Sequence, residues 1–213
     1  GAGDWNVYIG ELAGGAGIQT DASDANVGVG FESLKVVTTG TGNTTVGYTS
    51  GLAITTGGYN TAIGVRALDE ASTQVANNVA IGKDAMGGAI GTEYVANCVA
   101  VGNLALSGAL DSTDGADKAS GTVAIGKSAL ATNTDGDFNL AVGFQALKAN
   151  TTGSHNLAIG YDAMVGINDA NSLGNIAIGA LAMDGVTTLG SCHNNTMIGV
   201  NAGGGTWQNT AVI

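Results

Sequence analysis

Asn156-Leu157-Ala158-Ile159-Gly160-Tyr161-Asp162-Ala163-Met164 is one copy of a phrase, N-x-A-[IV]-G-x-x-A-[LM], that returns along the whole chain. The glycines that close its first half are Gly10, Gly30, Gly47, Gly64, Gly82, Gly102, Gly126, Gly143, Gly160, Gly179 and Gly199. The shortest intervals, such as Gly30 to Gly47 and Gly143 to Gly160, set a base period of about 17, and insertions lengthen the others. The longest interval runs from Gly102 to Gly126. A further copy opens at Asn209-Thr210-Ala211-Val212. A unit this short cannot bury its own apolar face, so the repeat implies turns of a stacked array sharing one core. The same repeat runs through the whole sequence, which implies one solenoid over 1–213 rather than two domains.

The residue before each glycine is β-branched in every copy: Ile9, Val29, Val46, Ile63, Ile81, Val101, Ile125, Val142, Ile159, Ile178 and Ile198. Such side chains are stiff at their first torsion and suit a pleated strand. Alternation sorts the phrase into two faces. One carries the Ile or Val and the residue two before it (Val79, Leu140, Leu157, Ile176); the other carries mostly alanine (Ala62, Ala80, Ala124, Ala141, Ala158, Ala177) and the glycine. A second short strand is expected after the glycine, at the Ala-Leu or Ala-Met pair. The spacing I-G-x-x-A-L also fits a helix, but a glycine in each copy costs about 0.8–1 kcal/mol against alanine there. Turn signals between copies, such as Thr38-Thr39-Gly40, Thr55-Thr56-Gly57-Gly58 and Thr151-Thr152-Gly153, favour strands as well. The fold class read from these features is all-β, a parallel β-roll or β-helix of eleven to twelve coils.

Asparagine stands four positions before the glycine in nine of eleven copies: Asn6, Asn26, Asn43, Asn60, Asn78, Asn139, Asn156, Asn175 and Asn195. Stacked at one corner, these amides are placed either to hydrogen-bond from rung to rung or simply to occupy a tight turn. Both roles are structural.

Both strand faces are apolar, and a solitary roll has only one face to bury. Alanine and glycine on the second face permit close approach of a partner. The simplest partner is another copy of the chain around a closed axis, a trimer favoured, which leaves no large apolar patch exposed. The net charge of −11 disfavours nucleic acid and anionic lipid. No run of eighteen uninterrupted apolar residues occurs, so this segment is not expected to insert into a membrane. The longest insertion, Ser107–Ser120, carries Asp111, Asp114 and Asp117. Insertions in solenoids form loops on the binding face, so these three are the candidate binding loop.

No cofactor or metal is expected. Gly121–Ser128 fits the pattern G-x-x-x-x-G-K-[ST], but Val123-Ala124-Ile125-Gly126 is the ordinary strand phrase. A phosphate loop needs converging N–H groups followed by a helix. Cys98 and Cys192 lie about five rungs apart, roughly 20–25 Å, too far for a disulfide within one chain. His155 and His193 stand alone in turns without a metal-ligand constellation. The loop aspartates lack both the twelve-residue calcium loop and the G-G-x-G-x-D repeat. Asn43, Asn150 and Asn194 open N-glycosylation acceptor patterns of the kind frequent by chance in an Asn/Thr-rich chain. No nucleophile, base and orienting group can be assembled, so no enzymatic activity is expected. Thr-x-Thr does not recur in register, which disfavours an ice-binding lattice.

Asn139–Asn156, NLAVGFQALKANTTGSHN, resembles the repeats of viral and phage tail fibres. It is also similar to the head repeats of trimeric autotransporter adhesins such as the YadA head, whose N-S-V-A-I-G phrase builds a left-handed parallel β-roll trimer. The resemblance covers nearly the whole chain, and the base period is nearer to the fibre arrays. It implies a homotrimeric shaft on a virion, or alternatively a bacterial surface adhesin head. Either would display loops to a host-surface glycan or protein. The repeat positions that carry it are clearest at Asn60-Ile63-Gly64, Asn78-Ile81-Gly82, Asn139-Val142-Gly143, Asn156-Ile159-Gly160 and Asn175-Ile178-Gly179.

Overall fold

A computed structural model describes residues 5–15, 23–70, 75–90, 94–110, 119–167, 172–185 and 192–205. Each strand phrase forms a short piece of parallel sheet. In chain order these are β1 (Val7–Ile9), β2 (Val27–Val29), β3 (Thr44–Val46) and β4 (Thr61–Ile63). There follow β5 (Val75–Ala76), β6 (Val79–Ile81), β7 (Val95–Ala96), β8 (Val99–Val101) and β9 (Val123–Ile125). The last are β10 (Leu140–Val142), β11 (Leu157–Ile159), β12 (Ile176–Ile178) and β13 (Thr196–Ile198). Eleven of them make one sheet in the order β1-β2-β3-β4-β6-β8-β9-β10-β11-β12-β13. Register is one to one, so Ala141 lies beside Ala158 and Val142 beside Ile159. The shorter strands β5 and β7 pair separately. No helix occurs among the described residues, and the chain is an all-β parallel solenoid. At about 4.8 Å per rung the sheet extends roughly 50 Å.

The two faces are the reverse of the sequence expectation. Alanine faces inward: Ala62, Ala80, Ala100, Ala124, Ala141, Ala158 and Ala177 are fully buried. The Ile or Val before each glycine points outward, with Ile63 39% and Ile159 36% exposed. The physical reason is the thinness of the coil. Only a methyl fits between the sheet and the opposite wall, where the large side chains Leu34, Leu68, Met86, Leu106, Leu130, Leu147 and Met164 fill the interior. The glycines are pressed against the next coil. Gly82 has φ 131°, and a Cβ there would lie 2.7 Å from the carbonyl of Gly102.

The second strand expected after the glycine is instead a turn, and this too is a correction. Its second and fourth residues are left-handed, as in Gln145 (φ 55°) and Leu147 (φ 51°), or Asp162 (φ 51°) and Met164 (φ 53°). That conformation costs a non-glycine residue roughly 1–2 kcal/mol. Two things offset it. The left-handed residues donate to both neighbouring coils: Gln145 N–H to Lys127 O at 3.0 Å, Leu147 N–H to Ala163 O at 3.0 Å. Burying each Leu or Met contributes roughly 1.5–3 kcal/mol more.

The irregular copies are compensated rather than loose. Tyr8 occupies the alanine slot of β1, and its ring takes the space a side chain would fill at Gly14, where a Cβ would lie 2.7 Å away. Gly28, beside Tyr8 in β2, would bring a Cβ to 3.0 Å from the same ring. Thr45 occupies that slot in β3 and faces Gly51, where a Cβ would lie 2.8 Å from Thr45 Cγ2. Met197 of β13, likewise in the alanine slot, is followed by Gly203 where other copies place Leu or Met. A larger residue on one wall is matched by glycine on the other, keeping the core volume constant. The expected outcome is that Gly51→Leu alone destabilises the fold by about 1–3 kcal/mol. Adding Thr45→Ala to Gly51→Leu recovers most of the loss. Chemical denaturation of the wild type, the single and the double variant checks this.

Candidate functional site

The outer face of the eleven-stranded sheet lies on the surface. It consists of two columns, one from the first residue of each strand and one from the last. The first runs Val7, Val27, Thr44, Thr61, Val79, Val99, Val123, Leu140, Leu157, Ile176, Thr196. The second is the β-branched column from Ile9 to Ile198. Neither contains a charged residue, in a chain of net charge −11. Large apolar side chains remain exposed along it, among them Ile9, Val46, Ile63, Ile81, Ile125, Ile159 and Ile198.

Two further columns border this face. One position past the glycine stand Phe31, Tyr48, Val65, Lys83, Asn103, Lys127, Phe144 and Tyr161. Phe31 stacks on Tyr48 with centroids 5.3 Å apart, Phe144 stacks on Tyr161 at 5.4 Å, and Lys127 Nζ lies 5.9 Å from the Phe144 ring centre. The Asp162 carboxylate, hydrogen-bonded to the Tyr161 hydroxyl, raises the pKa of that phenol. On the other border, five positions before the glycine, the backbone is left-handed at Trp5, Tyr59, Phe138 and His155. Gly121 in the coil before Phe138 makes room for its ring, which packs 5.3 Å from the imidazole of His155.

Behind the face runs the asparagine column. Asn60 Nδ2 donates to Asn43 Oδ1 at 3.0 Å and to Val75 O at 3.0 Å. Its own Oδ1 accepts the backbone N–H and the Nδ2 of Asn78, both at 3.1 Å. Asn139, Asn156, Asn175 and Asn195 repeat the pattern. The rung-to-rung reading of these amides therefore holds. Buried amides cost little only when fully paired, and neighbouring coils supply every partner named here. The column is interrupted by Cys98 and Thr122. Cys98 is fully buried and its Sγ–H donates to Ala119 O at 2.8 Å. Burial pushes its thiol up to about 11.

The residues weighed for chemistry do not converge. The N–H groups of Val123, Gly126 and Ser128 go to Asn139, Val101 and Asn103 of neighbouring coils, so Gly121–Ser128 gathers none onto a phosphate. His155 is an exposed residue in a bend, and His193, also exposed, sits in an isolated parallel β-bridge with Leu173. Among the described residues no three His, Cys, Asp or Glu side chains are grouped to hold a metal ion. Asn43 and Asn150 are fully buried, so of the three acceptor patterns only Asn194 is exposed. No helix among the described residues is long and apolar enough to cross a membrane. Asp111, Asp114 and Asp117 lie outside the described residues. Comparison with known proteins finds no matching family model, no matching curated protein and no matching solved structure.

Two outcomes follow for the asparagine column. Asn156→Leu leaves Ser172 O and the backbone N–H of Asn175 without the partners named here, while Asn139 Oδ1 keeps the backbone N–H of residue 156 and Asn175 Nδ2 keeps Cys192 O. At roughly 1–3 kcal/mol for each buried group left unpaired, a loss of about 2–6 kcal/mol is expected in urea denaturation. Cys98 gives a pH dependence. Below about pH 9 the thiol is protonated in both folded and unfolded chains. Between about 9 and 11 only the unfolded chain ionises, so stability falls as pH rises, by up to about 1.4 kcal/mol per pH unit. Cys98→Ala should remove that component of the alkaline slope, measured as Tm against pH.

Proposed function

We propose that this chain is the shaft of a homotrimeric attachment fibre, on a virion, holding loops for contact with a host-surface glycan or protein. The observation that carries the proposal is the outer sheet face, uncharged over eleven strands and flanked by half-exposed aromatic rings. From the first strand residue to the column past the glycine is roughly 13 Å, and eleven rungs give roughly 50 Å, so the face measures roughly 650 Å². It is comparable with the area of roughly 800 Å² that one partner contributes to a standard interface. Three copies around an axis cover it, and the assembly carries a charge of −33, three times −11, which keeps the rod soluble. The alanines are used inside each coil, so the contact is made by the β-branched columns. The role is mechanical and adhesive, without catalysis or cofactor.

The resemblance to tail-fibre arrays supports the virion over the bacterial cell surface, since the base period fits them better. Loops on a rigid scaffold are where recognition resides in such proteins, and three copies multiply weak contacts into avidity. Sedimentation of the intact protein is the test of assembly. The expected mass is three times the 20.7 kDa of one chain, and Ile125→Glu with Ile159→Glu should leave a folded monomer. A wild-type monomer at micromolar concentration would sink the proposal. Deleting Asp111–Lys118 should leave the trimer intact and reduce attachment to cells or immobilised glycans. Unchanged attachment would place recognition outside that loop.

A further inference from the structure

The asparagine column ties each coil to the next, but not equally at every joint. Between the coils of β3 and β4, Asn43 Oδ1 accepts the backbone N–H of Asn60 at 3.1 Å and its Nδ2 at 3.0 Å, while Asn43 Nδ2 donates to Gly57 O at 2.9 Å. The joint between β11 and β12 repeats all three bonds. The joint between β8 and β9 has none of them, because Cys98 and Thr122 stand at the two facing positions. Its side-chain bond in that column is the one from Cys98 Sγ to Ala119 O, and a thiol is a weak donor. The N–H of Thr122 turns back to Ala119 O of its own coil at 3.2 Å. Outside the column, Ser107 Oγ reaches Ala131 O at 3.4 Å.

The joints on either side are reinforced. Between β6 and β8, Asn78 Nδ2 still donates to Val95 O and its Oδ1 still accepts the N–H of Cys98. Those two coils also share the β5–β7 pair and a bridge from Ile90 to Leu110. Between β9 and β10, Thr122 Oγ1 accepts from the N–H of Asn139 and donates to Gly136 O, both at 3.4 Å. A second corner adds Asn150 Nδ2 to Asn133 Oδ1 at 2.8 Å and Thr132 Oγ1 to Lys148 O at 2.6 Å. Among the described residues, the joint between β8 and β9 has no strand pair or bridge beyond the main sheet. It also lies in the longest interval of the sequence, Gly102 to Gly126, and a longer connection regains more freedom when its ends part.

We propose that the rod opens at this joint, which divides it into two cooperative units, one ending in the coil of β8 and one beginning with the coil of β9. Six strands of the main sheet lie on one side and five on the other. Stability in a stacked array is a sum of neighbour terms, so folded blocks part at the least bonded internal joint. What holds this one is the β8–β9 pairing, the core, and turn bonds such as Leu106 N–H to Ala129 O and Ser128 N–H to Asn103 O, both 2.9 Å. Those features recur at the other joints, so the missing amides decide the difference. A shaft divided in this way yields near its middle under load while both blocks stay folded.

Amide hydrogen exchange on the intact protein is the test. In an array that only frays from its ends, amides bonded across the central β8–β9 joint are better protected than those across β3–β4. The expected result is the reverse. The N–H groups of Val99, Leu106, Gly126 and Ser128 should exchange faster than their counterparts Thr44, Gly51, Gly64 and Arg66, once intrinsic rates are divided out. Two missing side-chain bonds correspond to a ratio of roughly 10- to 100-fold. Cys98→Asn with Thr122→Asn restores the column, and the two sets should then exchange at similar rates. Equal or slower exchange at the β8–β9 joint of the wild type overturns the proposal, whether or not the double variant folds. So does a fast joint that stays fast in the folded double variant, because the cause then lies outside the amides. Cys98, fully buried against the joint, gives a second reading in a Cys192→Ser background. A thiol reagent should modify it at urea concentrations below the global transition, and modification only within that transition overturns the proposal as well.

Discussion

A buried amide that finds its partners only in the coils above and below is the interaction on which this structure depends. Asn43, Asn60 and Asn78 direct their amide groups to neighbouring coils rather than to their own. Each is satisfied only if its neighbours are folded and level with it. The same holds for the left-handed turn, whose N–H groups go one to the preceding coil and the next to the following one. A coil is therefore not a structure by itself, and stability accrues through nearest-neighbour terms along the rod. The weakness falls on the ends, and on the joint where Cys98 and Thr122 replace the amide.

That dependence explains how the interior came to be so narrow. Stacking at the strand repeat distance with glycine touching glycine leaves room for one methyl from the sheet and one Leu or Met from the opposite wall. The β-branched residues, the most apolar part of the phrase, are left on the outside. The core and the outer face thus draw on different columns of the same short phrase. Substitutions at Ala, Leu or Asn act on the interior of the coil, whereas substitutions in the outer columns leave that interior untouched.

Much of the fold was legible in the sequence because its signals are repeated. The spacing of Gly143, Gly160 and Gly179 marks the coils, the stiff residue before each marks the strand, and the recurrent asparagine marks the bonded corner. Two features were not legible. Which face is buried depends on the thickness of the coil, a long-range quantity that alternation does not contain. The turn at Gln145-Ala146-Leu147 has no glycine at its left-handed positions, so local propensity reads it as strand, and only bonds to other coils hold it. The match of Tyr8 with Gly14 and of Thr45 with Gly51 was visible as irregularity, but its meaning required knowing that those positions face one another. Of the candidate site, the binding loop expected at 107–120 falls mostly outside the described residues, while the aromatic borders were missed because their members lie a full coil apart in sequence. Aligning the copies and reading down each position as a column would have found them.

The one-to-one register of β10 with β11 has a consequence for heredity as well as for mechanics. Where successive copies follow one another at the base period without insertion, the junction offered by one coil is interchangeable with that offered by the next. Unequal recombination between the corresponding stretches of the gene would add or remove a whole coil and leave every remaining contact of the same kind. Rod length is thereby free to drift in whole coils over generations, while the columns of the outer face are inherited unchanged.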